Sequence, residues 1–429
     1  MLASDAASAI GGRLLGPDIE FDGVSFDTRS IVPGQMFVPI VAERNGHEFI
    51  GSAYAGGAIC HLTSEPDDFR RDHTSIEVAD TAASLMALAA FARRRLDARV
   101  VGVTGSVGKT STKDLIAAAC SPALRTTANQ RSFNNEQGLP VTVLGAPDDA
   151  QVLVLEMGMR GFGQISTLCE VARPDIGVVT AVGRSHTEMV GGIEGVARAK
   201  RELVEALPAA GTAILNVDDR RVAAMAAHTG ASVLTYGRSG DVRVSELVLD
   251  SRARPNFRVD SPWGSARLSL SVSGEHMAMN AAAALAVAGS LGVDIELAAG
   301  TLADADISGM RMAIIELDSG AVLIDDTYNA NPTSMGAALD AVVAMSATRR
   351  FAVLGPMGEL DDPGEGHRDV ARRAESSGVE LIATGTDLYG VRPTDDPVAA
   401  LGTLGAGDVV LVKASRSAGL ERVVAALSS

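Results

Sequence analysis

Residues 100–114 read VVGVTGSVGKTSTKD, and this stretch predicts a phosphate-binding loop between a strand and a helix. A β-branched run ends at Val103, a glycine-rich turn follows, and a helix opens at Lys109. Backbone N–H groups at a helix N-terminus attract an anion, a lysine adds positive charge, and a hydroxyl can bind Mg²⁺. A glycine-rich turn without a ligand is the structural alternative. We expect phosphate contacts from Gly105, Ser106, Gly108, Lys109, Thr110 and Ser111.

The length and charge of the chain limit the classes of protein that it can be. The 429 residues exceed what one hydrophobic core usually holds, so we expect two or three domains. Hydrophobic residues make up 46% of the chain, and the formal net charge is −16. Nucleic acids and anionic membranes attract basic surfaces, so neither is an expected partner.

Cysteine spacing and apolar runs predict a soluble cytoplasmic protein. Cys60, Cys120 and Cys169 have neither a disulfide-framework pattern nor a metal-binding spacing. The first residues, MLASDAASAIGGRLLGPD, lack the basic flank and apolar run of a secretion signal. The later stretch AMNAAAALAVAGSLGV is mostly alanine, which favours a buried helix over a membrane span.

The pattern along the chain predicts three α/β domains, at residues 1–98, 99–308 and 309–429. In the first, MFVPIVA predicts a strand and TAASLMALAAFARRRL a helix. From residue 99, short β-branched runs alternate with helical stretches, which indicates a parallel sheet with ligands at the carboxyl ends of its strands. Residues 240–272 alternate like antiparallel strands. After residue 309 the α/β alternation restarts, which predicts a Rossmann-like C-terminal domain.

Polar residues follow several of these predicted strands. Glu156 comes directly after VLVL, and His186 follows DIGVVTAVGRS, so both are candidate Mg²⁺ ligands. Lys200 lies on a helix rich in charges, and its residues alone favour a solvated lysine. Asp325 and Asp326 follow an apolar run, and buried strand ends seldom carry many hydrogen-bonding groups without a ligand. The side chains of Tyr328, Asn329 and Asn331 come next, and an ordinary Asn-Pro turn remains the alternative.

Taken together, these motifs resemble the Mur ligase family, ATP-dependent enzymes that build the peptide of bacterial cell wall precursors. The phosphate loop TGSVGKTST is similar to the loop of that family, which also lacks the early glycine. Further similarity lies between residues 27 and 423, in DTRSIVPGQMFVPI, NGHEFI, NNEQGLP, LEMGMRG, SHTEMVGGIEGVARAK, DDTYNANPTSM, LGPMGELDD, GHRDVA and VKASRSAGLERV. The motifs occur in the family's order.

The resemblance implies a role for each catalytic candidate. Lys109 would bind the β and γ phosphates of ATP, and Thr110 with Glu156 would hold one Mg²⁺ ion. His186 would bind a second Mg²⁺. Lys200 matches a lysine that carries CO₂ as a carbamate in most of the family. This reading of Lys200 contradicts the solvated one and rests on the resemblance alone.

The resemblance also implies contacts with nucleotide and substrates. Asn280 would contact adenine with His276 beside it, Arg311 would reach the ATP phosphates on domain closure, and Asp326 would bind the ribose. Asn134 and Asn135 would line the nucleotide and phosphate region. Residues of the first domain would hold the UDP group: Asp27, Thr28, Arg29, Ser30, Gly46 and His47. The remaining substrate contacts would come from Tyr328, Asn329, Asn331, Lys413, Ser415 and Arg416.

The implied activity is the joining of D-alanyl-D-alanine to UDP-N-acetylmuramoyl tripeptide through an acyl phosphate, by a monomer. DDTYNANP and VKASRS favour this branch over relatives that add diaminopimelate, lysine or glutamate. A paralogue joining a different acid and amine remains an alternative. A nucleotide-binding scaffold without catalysis is a further alternative, which the full set of matched catalytic residues disfavours. A signalling GTPase is disfavoured because an Asn-Lys-x-Asp motif is absent from the sequence.

Overall fold

The computed structural model describes residues 1–65, 73–130 and 133–429, and within them the chain forms three β-sheets. The chain separates into two compact units. The first contains Met1–Gly102, Leu124–Gly158 and Ile165–Asp175, and the second contains Val103–Ala123, Met159–Gln164 and Ile176–Ser429. The mixed α/β class is as predicted, whereas the three domains with boundaries near residues 98 and 309 stay a prediction.

The first sheet has the strand order β1-β5-β4-β3-β2, in which only the β1–β5 pair is antiparallel. Its strands are β1 (Arg13–Leu15), β2 (Val24–Ser25), β3 (Met36–Phe37), β4 (Cys60–Thr63) and β5 (Thr74–Glu77). The accompanying helices are α1 (Ala3–Ile10), α2 (Ile50–Ala55) and α3 (Thr81–Arg95). The strand predicted at MFVPIVA is limited to β3. The predicted helix is confirmed as α3, and Asp80 starts it by accepting hydrogen bonds from two backbone N–H groups.

The second sheet has the strand order β14-β13-β12-β11-β10-β9-β6-β8-β7. Its strands are β6 (Arg99–Thr104), β7 (Thr126–Ala128), β8 (Val152–Glu156), β9 (Ile176–Val179), β10 (Thr212–Asn216), β11 (Ser232–Gly237), β12 (Val242–Leu249), β13 (Pro255–Ser261) and β14 (Gly264–Ser269). The β12–β13 and β13–β14 pairs are antiparallel, and β9 to β12 pair in parallel. Both predicted patterns, α/β alternation followed by antiparallel strands, are confirmed.

Helices connect and cover these strands. They are α4 (Lys109–Cys120), α5 (Gly138–Leu144), α6 (Gln164–Ala172), α7 (Thr187–Val190), α8 (Ile193–Glu205), α9 (Arg220–Ala224), α10 (His276–Ser290) and α11 (Ile295–Leu302). The alanine-rich α10 is buried along most of its length and packs against α4. Small side chains allow this close approach. Along the described parts of the chain, no helix has both the length and the apolar character to span a membrane.

The third sheet has the strand order β15-β16-β19-β17-β18, with β15 as its antiparallel edge. Its strands are β15 (Ala313–Glu316), β16 (Val322–Asp326), β17 (Arg349–Leu354), β18 (Glu380–Ala383) and β19 (Asp408–Lys413). Its helices are α12 (Pro332–Ala344), α13 (Pro363–Ser376), α14 (Pro397–Leu401) and α15 (Glu421–Leu427), and short 3₁₀ helices cover Gly46–Phe49, Met225–His228 and Arg416–Ala418. The register of β16 and β19 places Asp326 opposite Lys413.

Gly46 has a packing role in the first unit. Its N–H donates a hydrogen bond of 3.0 Å to the Ile40 carbonyl. A Cβ atom at this position would lie 2.5 and 2.6 Å from the Ile40 nitrogen and oxygen. Backbone atoms cannot move aside as a flexible side chain can. The close approach of the Ile40 backbone therefore explains why position 46 is a glycine, and the explanation requires no ligand.

We expect Gly46→Ala to destabilise the first unit by about 1–3 kcal/mol, because overpacking costs that much in well-packed sites. Gly51→Ala in α2 is the matched control, since no atom lies within 4 Å of its added Cβ. Thermal unfolding of both variants measures the difference. Equal unfolding temperatures for the two variants would contradict the packing explanation.

Candidate active site

The loop between β6 and α4 is held in a shape that requires glycine at two positions. Gly105 has φ +155°, and a Cβ there would lie 1.8 Å from the Thr180 hydroxyl oxygen. That hydroxyl donates to the Val107 carbonyl at 2.5 Å. Gly108 is left-handed at φ +78°, and a Cβ there would lie 2.8 Å from Asn280 Oδ1. The turn is therefore fixed by Thr180 on one side and by Asn280 on the other.

Ser106 anchors the same turn through its backbone and its hydroxyl. Its N–H donates to the Ala181 carbonyl at 2.8 Å, and its hydroxyl donates to the Gly183 carbonyl at 3.1 Å. Asn331 Nδ2 lies 3.4 Å from the Ser106 carbonyl oxygen. Because the hydroxyl and the backbone N–H of Ser106 are both engaged in these bonds, the role of Ser106 is to shape the turn.

Cationic groups and a hydroxyl meet at the start of α4. Lys109 Nζ donates to the Gly105 carbonyl at 2.9 Å, which folds the side chain back over the turn. The Thr110 hydroxyl accepts a hydrogen bond of 2.8 Å from the Arg311 guanidinium, which also lies over the Tyr328 ring at 3.9 Å. The structure thus brings together five of the predicted site residues, namely Gly105, Lys109, Thr110, Arg311 and Tyr328. Ser111 is buried in the first turn of the helix.

One face of α4 also contacts the segment before β15, which sequence reasoning missed. Asp114 Oδ2 accepts a 2.9 Å hydrogen bond from the Ser308 N–H, and the Thr301 hydroxyl donates to the Ala118 carbonyl at 2.9 Å. Residues 110, 114 and 118 are four apart and so share one helix face. That spacing was readable in the sequence, but nothing in it indicated which segment the face contacts.

Lys200 is buried, with 2% of its surface exposed, so the solvated reading was wrong. It belongs to the buried face of α8 with Val196, Ala199 and Leu203. The pKa of Lys200 is lowered well below its usual value, mainly by burial and further by the positive charge of Lys109. The apolar spacing at 196, 199 and 203 includes position 200 and could have revealed the burial.

Glu156 and Asn134 form a polar pair within the first unit. Glu156 is the last residue of β8 and is buried. Its carboxylate accepts a hydrogen bond of 2.7 Å from Asn134 Nδ2, and its N–H donates to Asn129 Oδ1 at 2.8 Å. Asn135 instead accepts from the N–H groups of Gln137 and Gly138 at 3.2 and 2.9 Å. Asn134 thus orients the carboxylate, while Asn135 shapes the start of α5.

The sequence suggested that His186 stands at the end of a strand. In the structure it lies beyond the end of β9. The strand ends at Val179, and His186 stands immediately before α7 in the left-handed region at φ +56°. Its Nδ1 lies 2.5 Å from the Glu359 carboxylate. The adjacent Thr187 hydroxyl donates to Asp361 at 2.8 Å. Glu359 and Asp361 belong to the motif LGPMGELDD, for which the sequence indicated no separate role.

The donors present fit magnesium that is shared with phosphate. Thr110 offers a hydroxyl in the second unit and Glu156 a carboxylate in the first. Among the residues that the structure describes, no group of three or more His, Cys, Asp or Glu side chains could hold a metal ion. Mg²⁺ is usually bound by one or two carboxylates together with substrate phosphates and water. Taken singly, the Thr110 hydroxyl and the Glu156 carboxylate are each of the type that binds Mg²⁺ together with phosphate and water.

The residues expected near adenine and ribose have clear local partners. Asn280 is buried, and its Nδ2 lies 3.5 Å from the Met277 sulfur. Burial lowers the pKa of His276 to about 4, so its ring is neutral near pH 7. Asp326 forms an ion pair of 2.5 Å with Lys413, and burial raises the pKa of Asp326 despite that ammonium.

The predicted residues of the third sheet differ in how far local structure explains them. Lys413 is buried, pairs with Asp326, and donates to the Asn329 carbonyl at 2.8 Å. Asn331 caps α12, as the turn alternative predicted. Ser415 accepts a 2.9 Å hydrogen bond from the Gly358 N–H. By contrast, Arg416 is exposed and pairs with Glu421 at 3.2 Å.

The first-unit loops place charged and polar groups at the surface. The Asp27 carboxylate accepts hydrogen bonds from the backbone and side chain of Arg29, whose side chain is 88% exposed. The hydroxyl of Ser30 donates to the Asp27 carbonyl at 3.2 Å, and Thr28 is half-buried between them. The His47 ring lies 2.8 Å from Asn45 Oδ1, and its Nε2 accepts from the Ser64 N–H at 3.1 Å. Arg29 is thus well placed for an anion, whereas His47 is tied to its neighbours.

We expect Lys413→Met to cost about 3–5 kcal/mol at pH 8, because it leaves the Asp326 carboxylate buried without its partner. The pKa of Asp326 is already raised in the folded state, so protonation at lower pH relieves this cost. Urea unfolding at pH 8 and pH 5.5 should show the larger loss at pH 8. The double variant Asp326→Asn, Lys413→Met should recover part of the stability, and an equal loss at both pH values would contradict the account.

Comparisons with known proteins agree with this geometry. The Mur ligase middle domain matches residues 103–288, and the Mur ligase glutamate ligase domain matches residues 310–416. A UDP-N-acetylmuramoyl-tripeptide–D-alanyl-D-alanine ligase from Mycobacterium bovis is 38% identical, over 94% of this chain and 91% of that protein.

Two solved structures are similar over nearly the whole chain. MurF from Acinetobacter baumannii has a TM-score of 0.86 at 27% identity, covering 99% of this chain and 98% of the other. MurF ligase from Thermotoga maritima in complex with ADP has a TM-score of 0.83 at 26% identity, covering 95% and 97%. A phosphate loop that lacks the early glycine, a buried lysine on α8 and similarity along the full length have one explanation: the chain belongs to the Mur ligase family.

Proposed function

We propose that this protein joins D-alanyl-D-alanine to a UDP-N-acetylmuramoyl tripeptide, with ATP converted to ADP and phosphate. The observation that carries the proposal is the 2.8 Å contact between Arg311 and the Thr110 hydroxyl. Thr110 lies in the segment that matches the middle domain, and Arg311 in the segment that matches the glutamate ligase domain. The contact joins both segments at the predicted phosphate site, as a ligase with two cooperating domains requires.

The choice of acid and amine is supported by the relatives. The protein from M. bovis is named for the tripeptide acceptor and for D-alanyl-D-alanine, and it matches nearly the full length of this chain. The structure from T. maritima contains ADP, which supports ATP as the nucleotide. We therefore assign ATP to the region around α4. Arg29, which is exposed and paired with Asp27, is our candidate for contact with the UDP phosphates.

The chemistry follows from the need to activate a carboxylate. Hydroxide is a poor leaving group, so the substrate carboxylate attacks the γ-phosphorus of ATP and releases ADP. The dipeptide amine then attacks the acyl carbon, and phosphate leaves with the former carboxylate oxygen. The first step brings two anions together and the second releases a phosphate anion, so positioning and neutralisation of charge provide most of the catalysis. Lys109 and Arg311 supply that positive charge.

Residues of this chain also fit the two proposed magnesium sites. Thr110 and Glu156 would hold one ion, and His186 the other. Bound Mg²⁺ neutralises phosphate oxygens and fixes their geometry. A lysine with a lowered pKa is more often neutral, and a neutral amine can add CO₂ and lose a proton to form a carbamate. We propose that Lys200 is carbamylated in this way, which would convert a buried neutral amine into an anion within electrostatic range of Lys109.

The remaining proposals concern organisation. We propose domains at residues 1–98, 99–308 and 309–429, which hold the UDP substrate, ATP and the dipeptide respectively. Closure of the domains would exclude water, which otherwise hydrolyses an acyl phosphate. We further propose a cytoplasmic monomer, because both substrates are small soluble molecules.

A panel of substrates tests the function. The protein is incubated with ATP, Mg²⁺ and each of several UDP-N-acetylmuramoyl peptides and amines, and ADP release and product mass are measured. We expect turnover with a tripeptide acceptor and D-alanyl-D-alanine. Turnover only with another pair would favour a paralogous ligase. ATP binding without turnover on any pair would favour a non-catalytic scaffold.

We expect Lys109→Ala to lower kcat by about 10²–10³, because one preorganised charge contact to a transition state is worth that much. The substitution should leave the unfolding temperature nearly unchanged, since Lys109 is only partly buried. ADP release under saturating substrates is the measurement. A rate close to that of the unmodified protein would remove Lys109 from the mechanism.

We expect Lys200→Ala to be inactive, with activity partly restored by added short carboxylates such as acetate. The added anion would replace the carbamate, whereas chloride at equal ionic strength serves as the control. Truncation of this buried side chain also leaves a cavity and lowers stability, so it is the rescue by added carboxylate that separates lost chemistry from lost folding. Activity of the unmodified protein that is independent of CO₂ would contradict carbamylation.

A further inference from the structure

The side chain of Glu359 lies against His186, although no step proposed so far uses it. The Glu359 carboxylate is 2.5 Å from His186 Nδ1, and Arg160 Nε lies 3.4 Å from the same carboxylate. Each nitrogen of a neutral imidazole has a different role, since one carries the proton and the other a lone pair. A carboxylate at Nδ1 favours the proton there and leaves the lone pair on Nε2.

We propose that Glu359 is a positioning residue that orients the His186 ring and fixes its tautomer so that Nε2 can bind a metal ion. The inference rests on the proposed function, which makes His186 a metal ligand. Histidines that bind metals almost always donate their second N–H to a carboxylate, a carbonyl or water. Glu359 brings a carboxylate oxygen to 2.5 Å from His186 Nδ1, and it comes from a part of the chain more than 170 residues later in the sequence.

The backbone at both residues supports a specific contact. His186 has φ +56° and Glu359 has φ +61°, and residues other than glycine rarely adopt these backbone angles. Such conformations persist only where the surroundings hold them, and they are most frequent at functional sites. Here the side chains of two residues with left-handed backbone conformations contact each other. A chance surface ion pair would need neither of these backbone conformations.

Two neighbouring contacts join the same two segments, residues 184–187 and 359–365. The Thr187 hydroxyl donates to Asp361 at 2.8 Å and accepts from the Asp361 N–H at 3.1 Å. The Arg184 guanidinium donates to Glu365 at 2.8 Å. Arg184 and Thr187 lie on either side of His186 in the sequence, and their partners Asp361 and Glu365 follow Glu359, so these contacts hold the two segments together next to the pair.

Hydrogen bonds on both sides of Glu359 in the sequence hold the segment that carries it. His367 is fully buried, accepts a hydrogen bond from the Met357 N–H at 3.0 Å, and has its other ring nitrogen 2.6 Å from the Pro363 carbonyl. Ser415 accepts from the Gly358 N–H at 2.9 Å. Glu359 therefore stands on a loop fixed on both sides, which is what a residue needs in order to orient another.

Mn²⁺ binding to the full chain tests the proposal with a readout other than activity. Mn²⁺ is titrated in the presence of a non-hydrolysable ATP analogue, and electron paramagnetic resonance measures free Mn²⁺ and the nitrogen coupling of the bound ion. We expect nitrogen coupling in the unmodified protein. Glu359→Gln should bind the nitrogen-coupled ion about 10-fold or more weakly, as is typical when the partner of a metal-binding histidine is changed.

The chain offers a matched control in Glu365→Gln. Glu365 has the same side chain and contacts the same segment, but it pairs with Arg184 instead of His186. We expect its Mn²⁺ affinity to equal that of the unmodified protein, which separates positioning of His186 from general loosening of the segment. In a His186→Ala background, Glu359→Gln should have no further effect, since a positioning residue acts through the ring.

Three results would overturn the inference: no nitrogen coupling in the unmodified protein, unchanged affinity in Glu359→Gln, or an equal loss in Glu365→Gln. Glu359→Asp retains the charge on a shorter side chain, so its Mn²⁺ affinity should lie between those of the unmodified protein and Glu359→Gln. It provides a second variant if Glu359→Gln unfolds. ADP release by the unmodified protein is measured alongside. Its absence with every substrate pair would overturn the proposed function, while the Mn²⁺ results would still decide the role of Glu359.

Discussion

The candidate site depends most on the burial of the Lys200 amine. Lys109 lies near enough that its positive charge disfavours the charged form of Lys200. Burial and the second positive charge both lower the pKa of Lys200. With Arg311 at Thr110, three basic side chains surround the start of α4 in a chain whose net charge is −16. Lys109 and Arg311 are the cationic groups of this region, and they suit the phosphates and the carboxylate of the proposed reaction.

Helix α4 connects the phosphate loop with the segments that precede the third sheet. The stripe of α4 at residues 110, 114 and 118 binds Arg311, Ser308 and Thr301, so the helix that opens at the phosphate loop also holds the chain that leads to the third sheet. One helix therefore contacts both the phosphate loop and the chain segment that precedes the third sheet. The contact of Glu359 with His186 is a second connection of this kind.

Sequence patterns predicted the fold and the phosphate loop well because strands, helices and glycine turns are local features. The β-branched runs at residues 152–155 and 409–412 became buried strands, and the two loop glycines proved to be required by Thr180 and Asn280. Lys200 was misread because its charge outweighed the apolar spacing around it. Glu359 and Asp361 were missed because their partners lie more than 170 residues away, and no local pattern encodes such a contact.

The central claim is that the protein activates a substrate carboxylate by phosphorylating it. The most direct measurement uses a UDP-N-acetylmuramoyl tripeptide whose terminal carboxylate is labelled with ¹⁸O, incubated with ATP and D-alanyl-D-alanine. The account predicts that one ¹⁸O atom per turnover appears in the released inorganic phosphate, as detected by mass spectrometry or ³¹P NMR. Amide formation with unlabelled phosphate, or with the label in AMP, would contradict it.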